Sequence, residues 1–104
     1  MPPYKLDLLI SASQAHLSTL ENLLSGAETL NLDVRNIYGQ TPLMLACING
    51  HLQIAKLLLE NGASVGITDN FGYSALDYAK NNRHESISVL IQERQAHVLT
   101  GKPQ

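Results

Sequence analysis

The feature that most constrains this chain is a pattern that returns after 33 residues. Residues 36–66 read NIYGQTPLMLACINGHLQIAKLLLENGASVG, and a second segment with the same layout follows directly. Self-similarity at a fixed period is typical of a solenoid, in which each unit buries its apolar face against the next. The step of 33 carries Asn36 to Asp69, Gly39 to Gly72, Thr41 to Ser74, Leu43 to Leu76, Ala46 to Ala79, His51 to His84, Ile54 to Ile87 and Leu57 to Leu90.

Each unit is predicted to form two short helices joined by a tight turn. The first helix opens at Thr41-Pro42, because proline suits a first helical turn, where its missing N–H would have no partner. Asn49-Gly50 ends this helix, and the second runs from about His51 to Asn61, before Gly62. Apolar residues recur at helical spacing on one face of the second helix, which must therefore be covered: Leu52, Ala55, Leu58 and Leu59.

The segment from Gly39 to Ala63 resembles the ankyrin repeat, because many residues match that repeat at fixed offsets. The matching residues are Gly39-Gln40-Thr41-Pro42-Leu43, Ala46-Cys47, Gly50-His51, Leu58-Leu59 and Gly62-Ala63. Met44 departs from the family, which usually has histidine after Thr-Pro-Leu. The resemblance implies an all-α fold, an α-solenoid of stacked helix-turn-helix repeats. It also implies short β-hairpin-like loops at residues 33–40 and 66–73, which project as fingers.

We expect one ankyrin-repeat domain over residues 1–99 and a flexible tail over 100–104. The domain divides into an N-terminal capping repeat (1–33), a full repeat (34–66) and a C-terminal capping repeat (67–99). The first repeat keeps the apolar skeleton, with Leu8 in the place of Leu43, but lacks the turn glycine, threonine and proline. In the last repeat, polar residues make the outer face wettable: Lys80, Ser88 and Gln92 replace Cys47, Ala55 and Leu59.

Composition excludes several classes of function. The 104 residues suffice for one compact domain. A formal net charge of −2 disfavours nucleic acid and anionic membrane surfaces, which need a basic stripe. No apolar run approaches a membrane span, and Asp7 interrupts the only segment that resembles a signal peptide. The single Cys47 excludes an intramolecular disulfide and suits a reducing compartment, so we expect a cytoplasmic protein.

The residues that invite a catalytic or metal-binding hypothesis are better explained as structural. His16, His51 and His84 occupy one position in three successive units, which predicts rings that bond to backbone at a turn. Metal sites need convergent ligands instead. Cys47 has apolar neighbours and is predicted to be an inert core thiol, and Asp69 a turn residue. We therefore predict no enzyme, no metal and no cofactor.

Three of the five aromatic residues, Tyr38, Phe71 and Tyr73, lie in the two finger segments. Aromatic side chains anchor interfaces, so partner contact is predicted for Tyr38 and Tyr73; for Phe71, packing of finger against finger is an equal alternative. The family's usual contact positions, carried over residue by residue, give a set of twelve: Arg35, Ile37, Tyr38, Gln40, Ile48, Asn49, Thr68, Asn70, Phe71, Tyr73, Asn81 and Asn82.

The resulting hypothesis is a non-catalytic module that binds another protein on its finger tips and first-helix face, as an adaptor or inhibitor. Without its partner we expect a monomer. The resemblance also allows a secreted bacterial effector that binds host proteins. One rival is a self-assembling protein that uses Val89, Val98 and Leu99 at the end of the stack. The other is an enzyme or small-ligand site around Cys47 and the histidines.

Overall fold

A computed structural model describes residues 4–26 and 30–100, with side chains as far as residue 96. This part of the chain contains six helices: α1 (Lys5–Gln14), α2 (Leu17–Leu24), α3 (Pro42–Asn49), α4 (Leu52–Glu60), α5 (Ala75–Asn81) and α6 (Glu85–Thr100). Consecutive helices pack against each other in three pairs. The first helices pack side by side in the order α1, α3, α5, and α4 contacts both α2 and α6 in a second layer. The predicted all-α solenoid is confirmed.

The first helix of the middle and last units begins at a capped residue. The Thr41 hydroxyl accepts a hydrogen bond from the Met44 N–H (3.3 Å), with Pro42 in the first turn of α3. Ser74 and Asp77 form a reciprocal capping box at α5. Each cap satisfies N–H groups that a helix start leaves without partners. The cap at α3 uses the backbone of residue 44, so methionine serves there without a polar side chain.

The turn between the two helices has the same backbone in every unit. Ala15, Gly50 and Arg83 occupy this position, and their φ angles are 58°, 74° and 61°. Left-handed backbone is unfavourable for any residue with a Cβ, so only Gly50 adopts it without strain. The first and last units therefore keep the left-handed turn although Ala15 and Arg83 do not favour this backbone conformation.

Histidines connect the middle unit to the first and the last unit to the middle one. The Nε2 atom of His51 lies 3.0 Å from the carbonyl oxygen of Ser13, at the end of α1. The ring of His84 lies against Gly50, where an added Cβ would be 2.7–3.0 Å from ring atoms. His16 has no described unit before it, and it is exposed. The predicted bond from ring to backbone is confirmed for His51.

One hydrophobic core runs through all three units. It includes Leu8 and Leu20 from the first pair, Leu43 and Leu58 from the second, and Ile91 from the third, all at most 1% exposed. Cys47 lies in this core, and burial raises the pKa of its thiol to about 12. The thiol is therefore protonated at neutral pH and shielded, as predicted for an inert core cysteine.

The far end of the stack exposes Lys80 and Gln92, and Val89 beside them. Ser88 is buried, and its hydroxyl bonds back to the His84 carbonyl. Helix α6 extends to Thr100, one residue into the predicted tail. Residues 101–104, and the side chains of Val98 and Leu99, lie outside what the structure describes.

Candidate functional site

The middle finger, residues 33–40, is a tight turn held by its own asparagine. The N–H of Asn36 donates to the Gln40 carbonyl, and the N–H of Gly39 donates to the Asn36 carbonyl, both at 3.0 Å. The Oδ1 atom of Asn36 accepts from the N–H groups of Tyr38 and Gln40, both at 2.9 Å. A side chain that bonds its own turn in this way fixes the loop locally.

The last finger, residues 66–73, repeats these bonds with aspartate in the place of asparagine. The Oδ1 atom of Asp69 accepts from the N–H groups of Phe71 (2.9 Å) and Tyr73 (3.0 Å), which confirms the predicted turn role. The N–H of Asp69 donates to the Tyr73 carbonyl, and an antiparallel bridge joins Thr68 to Ser74. The two fingers therefore share one geometry.

Asn70 fastens the last finger to the middle finger. Its backbone N–H donates to the carbonyl of Tyr38 (3.0 Å), and its Nδ2 donates to the carbonyl of Ile37 (3.1 Å). Gly39 lies under this contact at a φ of 78°, and an added Cβ would be 2.5 Å from Oδ1 of Asn70. The middle finger therefore requires glycine both for its backbone and for the approach of its neighbour.

A polar network lies beneath the fingers and is centred on Tyr78 of α5. The Tyr78 hydroxyl donates to Oδ2 of Asp69, and the Nε2 of Gln40 lies 3.4 Å from the same hydroxyl. The Nδ2 of Asn36 donates to Oε1 of Gln40 (2.9 Å). Tyr78 is not among the residues that the sequence pattern predicts for the site. The available signal was tyrosine at the position that Leu45 occupies in the middle unit.

This network changes the acidity of both its ionisable groups. Burial raises the pKa of the Asp69 carboxyl, but hydrogen bonds from Tyr78 and from the N–H groups of Tyr73, Phe71 and Gly72 outweigh burial. The net result is a pKa below the ordinary aspartate value. Burial and the bond to Asp69 raise the pKa of Tyr78. Asp69 is therefore ionised at neutral pH, and its carboxylate accepts hydrogen bonds from Phe71, Tyr73 and Tyr78.

The finger tips expose large apolar and aromatic side chains. The exposed fractions are 85% for Ile37, 67% for Phe71, 51% for Tyr38 and 47% for Tyr73. The Tyr73 ring lies 5.7 Å from the Tyr78 ring at a tilt of 53°, so it also contributes to packing. Exposed aromatic residues on a hydrogen-bonded frame are suited to contact another molecule with little loss of entropy.

The structure places the twelve predicted contact residues on the fingers and along α3 and α5. Gln40 and Ile48 are half-buried. Ten are exposed: Arg35, Ile37, Tyr38, Asn49, Thr68, Asn70, Phe71, Tyr73, Asn81 and Asn82. Several already have internal partners. The amide groups of Asn49 and Asn82 donate to the carbonyls of Leu45 and Tyr78, four residues earlier, and Gln40 and Asn70 take part in the contacts described above.

A metal ion requires several ligand side chains that converge on one point. Among the described residues, no group of three or more histidine, cysteine, aspartate or glutamate side chains is arranged in this way. Within residues 4–26 and 30–100, no helix combines the length and apolar character that a bilayer span demands.

Comparison with known proteins agrees with this architecture. The family model for ankyrin repeats, in three copies, matches residues 8–100. The putative ankyrin repeat protein YahD of Escherichia coli K12 is 35% identical over 86 residues, which are 78% of this chain and 42% of that protein. The ankyrin repeat and KH domain-containing protein mask-1 of Caenorhabditis elegans is 40% identical over 80 residues, 77% of this chain and 3% of that protein. The chain thus spans less than half the length of either relative.

Proposed function

Because this chain belongs to the ankyrin-repeat family, whose repeats are generally protein–protein interaction modules, we propose that it binds a partner protein on its two fingers and the adjoining face of α3 and α5. The binding is non-catalytic, and the module acts as an adaptor or an inhibitor according to which surface of the partner it covers. The buried, unreactive Cys47 suits a reducing compartment, so we place this binding in the cytoplasm.

The observation that carries the proposal is the exposure of Ile37, Tyr38 and Phe71 on a rigid frame. A monomeric domain gains nothing in stability from apolar tips in water, whereas interface cores are enriched in aromatic anchors. The frame is rigid because each finger bonds internally and Asn70 joins the two. Exposure of Phe71 favours partner contact over packing between the fingers.

The chemistry of the surface indicates the kind of partner. Among the twelve residues, Arg35 alone carries a charge, and the rest are aromatic, aliphatic, amide or hydroxyl side chains. Such a surface suits an apolar patch of a protein bordered by hydrogen-bonding groups, because it offers little charge to a highly charged ligand.

We would test the proposal with Tyr38→Ala and the double variant Tyr38→Ala/Tyr73→Ala. Proteins captured from a native lysate of the source cells would be identified, and the affinity of each purified candidate measured by calorimetry. Tyr38→Ala should remove about 2 kcal/mol or more of binding free energy. It should cost less than about 1 kcal/mol of stability, because Tyr38 contributes only its carbonyl to the bond from Asn70.

The matched control is Lys56→Ala, at an exposed position of α4 away from the fingers. It should leave both capture and melting unchanged. The contact assignment is wrong if Tyr38→Ala lowers the melting temperature as much as the core variant Leu58→Ala, or if Lys56→Ala weakens binding as much as Tyr38→Ala does.

Self-association through the far end of the stack is less favoured. Val89 is 52% exposed there, but Lys80, Arg83, Glu85 and Gln92 surround it, and such charged and polar residues are depleted from interface cores. A light-scattering concentration series distinguishes self-association from the binding of another protein. If the protein stays monomeric at high concentration, it does not self-associate, and partner binding is then the function of the exposed tips.

A further inference from the structure

The last finger repeats the pair of backbone carbonyls through which the middle finger binds Asn70, and this second pair is open. A step of 33 residues carries the acceptors of the existing contact, the carbonyls of Ile37 and Tyr38, to the carbonyls of Asn70 and Phe71. We propose that these two carbonyls, beside Gly72, form a docking seat for a turn of the partner protein that carries an asparagine or glutamine amide. The proposal rests on the proposed function, because it names how a partner engages the finger row.

No other described residue occupies this docking seat. Neither the Asn70 nor the Phe71 carbonyl accepts a hydrogen bond from any residue in the described part of the chain. An added Cβ at Gly39 would meet Asn70 at 2.5 Å, whereas a Cβ at Gly72, at a φ of 86°, would find nothing within 4 Å. The equivalent glycine is therefore covered in one finger and uncovered in the other.

The occupant follows from the contact that already exists. Asn70 docks with two donors, a backbone N–H and a side-chain amide one residue past the aspartate that holds the turn. A partner turn of the same kind would offer both donors to the two free carbonyls. The seat thus continues an interface that this protein uses internally, as in strand addition at a sheet edge.

A second copy of this chain fits the seat poorly. The residue of the middle finger equivalent to Asn70 is Ile37, which has no amide to donate. The chemistry of the seat therefore points to a different protein.

The test supplies the missing turn from the protein's own sequence. A chain extended after Gln104 by a 20-residue Gly/Ser linker would carry a copy of residues 66–74. The linker has a root-mean-square reach of roughly 25 Å, and it holds the copy at an effective concentration of about 1 mM. We expect the ¹³C carbonyl resonances of native Asn70 and Phe71 to shift downfield, as they do when a carbonyl accepts a hydrogen bond.

Two variants make the result specific. Asn70→Ile in the appended copy reproduces the residue at position 37 and should abolish the shift. Gly72→Ala in the native finger fills the seat and should abolish it too, with the amide spectrum confirming that the chain is folded. Equal carbonyl resonances with the Asn and Ile copies would overturn the proposal. A shift that grows with concentration in the unextended chain would also overturn it, because the occupant would then be a second copy.

The failure of this proposal is distinguishable from the failure of the proposed function. If Tyr38→Ala loses the partner and the appended copy produces no shift, the fingers bind protein by their side chains alone and the seat is not used. If Tyr38→Ala keeps the partner at full affinity, the proposed function itself is wrong.

Discussion

The middle and last units have nearly the same backbone but different surroundings. Asn70 covers Gly39 and the His84 ring covers Gly50, because a further unit packs on the middle one. In the last unit, Gly72 faces open space, and Arg83 replaces glycine at the turn with a φ of 61°. A neighbouring unit therefore adds a steric demand for glycine at Gly39 and Gly50 to the demand that left-handed backbone already makes.

The helices show the same contrast. Cys47 and Leu59 are at most 2% exposed between the middle and last units, whereas Lys80 and Gln92, at the equivalent positions, are exposed. Polar side chains cost nothing where water remains, and they discourage further stacking. Substitutions at equivalent positions of the two units should therefore differ in their cost to stability.

The largest contrast is expected between Leu59→Ala and Gln92→Ala, which change equivalent positions of the two units. Leu59→Ala should cost about 2–5 kcal/mol, because it leaves a cavity at a buried site. Gln92→Ala should change stability by less than about 0.5 kcal/mol. Urea unfolding followed by circular dichroism measures both, and similar costs at the two positions would contradict the comparison.

Next in size are the finger glycines. Gly39→Ala and Gly72→Ala both place a Cβ on left-handed backbone, at φ angles of 78° and 86°, which costs about 1–2 kcal/mol. Gly39→Ala must also displace Asn70, and overpacking of that kind adds about 1–3 kcal/mol. The unfolding free energies of the two variants should differ accordingly. If Gly72→Ala is the more damaging change, the last finger is not open.

A smaller effect, of opposite sign, is expected at the turn of the last unit. Arg83→Gly should stabilise the protein by up to about 1 kcal/mol, because glycine relieves the left-handed backbone at a φ of 61°. Glu93→Gly, at an exposed position inside α6, is the control and should cost about 1 kcal/mol. Thermal melting of the two variants should therefore move in opposite directions.

The architecture could be predicted from the sequence because a repeat encodes its own stacking. The period of 33, the caps at Thr41 and Ser74 and the left-handed Gly50 all follow from local rules. What depends on contact between units could not be predicted. The sequence does not show that Asn70 reaches the carbonyl of Ile37. The residue equivalent to Asn70 in the middle finger is Ile37, which has no amide, so the repeat pattern contains no second example of this contact.

Tyr78 shows the same limit at the candidate site. Its position in the repeat predicts an apolar residue, as Leu45 is in the middle unit, and only the fold brings its hydroxyl to Asp69 and Gln40. The exposure of the finger tips could be predicted, because aromatic residues in turns are seldom part of a hydrophobic core. The internal roles of Gln40 and Asn70 required the structure.

The smallest effect concerns pH and compares Asp69 with Asn36, its equivalent in the middle finger. The folded state lowers the pKa of Asp69, so its contribution to stability is complete above the unfolded pKa of about 3.9 and is lost as pH falls through the folded value. Asp69→Asn keeps a turn acceptor, as Asn36 does, and should cost less than about 1 kcal/mol at pH 7.

The deficit of Asp69→Asn should shrink as pH falls from 5 towards 2.5, because wild-type Asp69 becomes neutral too. Urea unfolding at several pH values measures this difference. Tyr78→Phe is the companion variant: without the phenol that donates to Asp69, the acid-dependent loss of stability should be smaller than in the wild type. Parallel pH profiles for all three proteins would mean that the last finger gains nothing from its charge, and that asparagine and aspartate are equivalent in the two fingers.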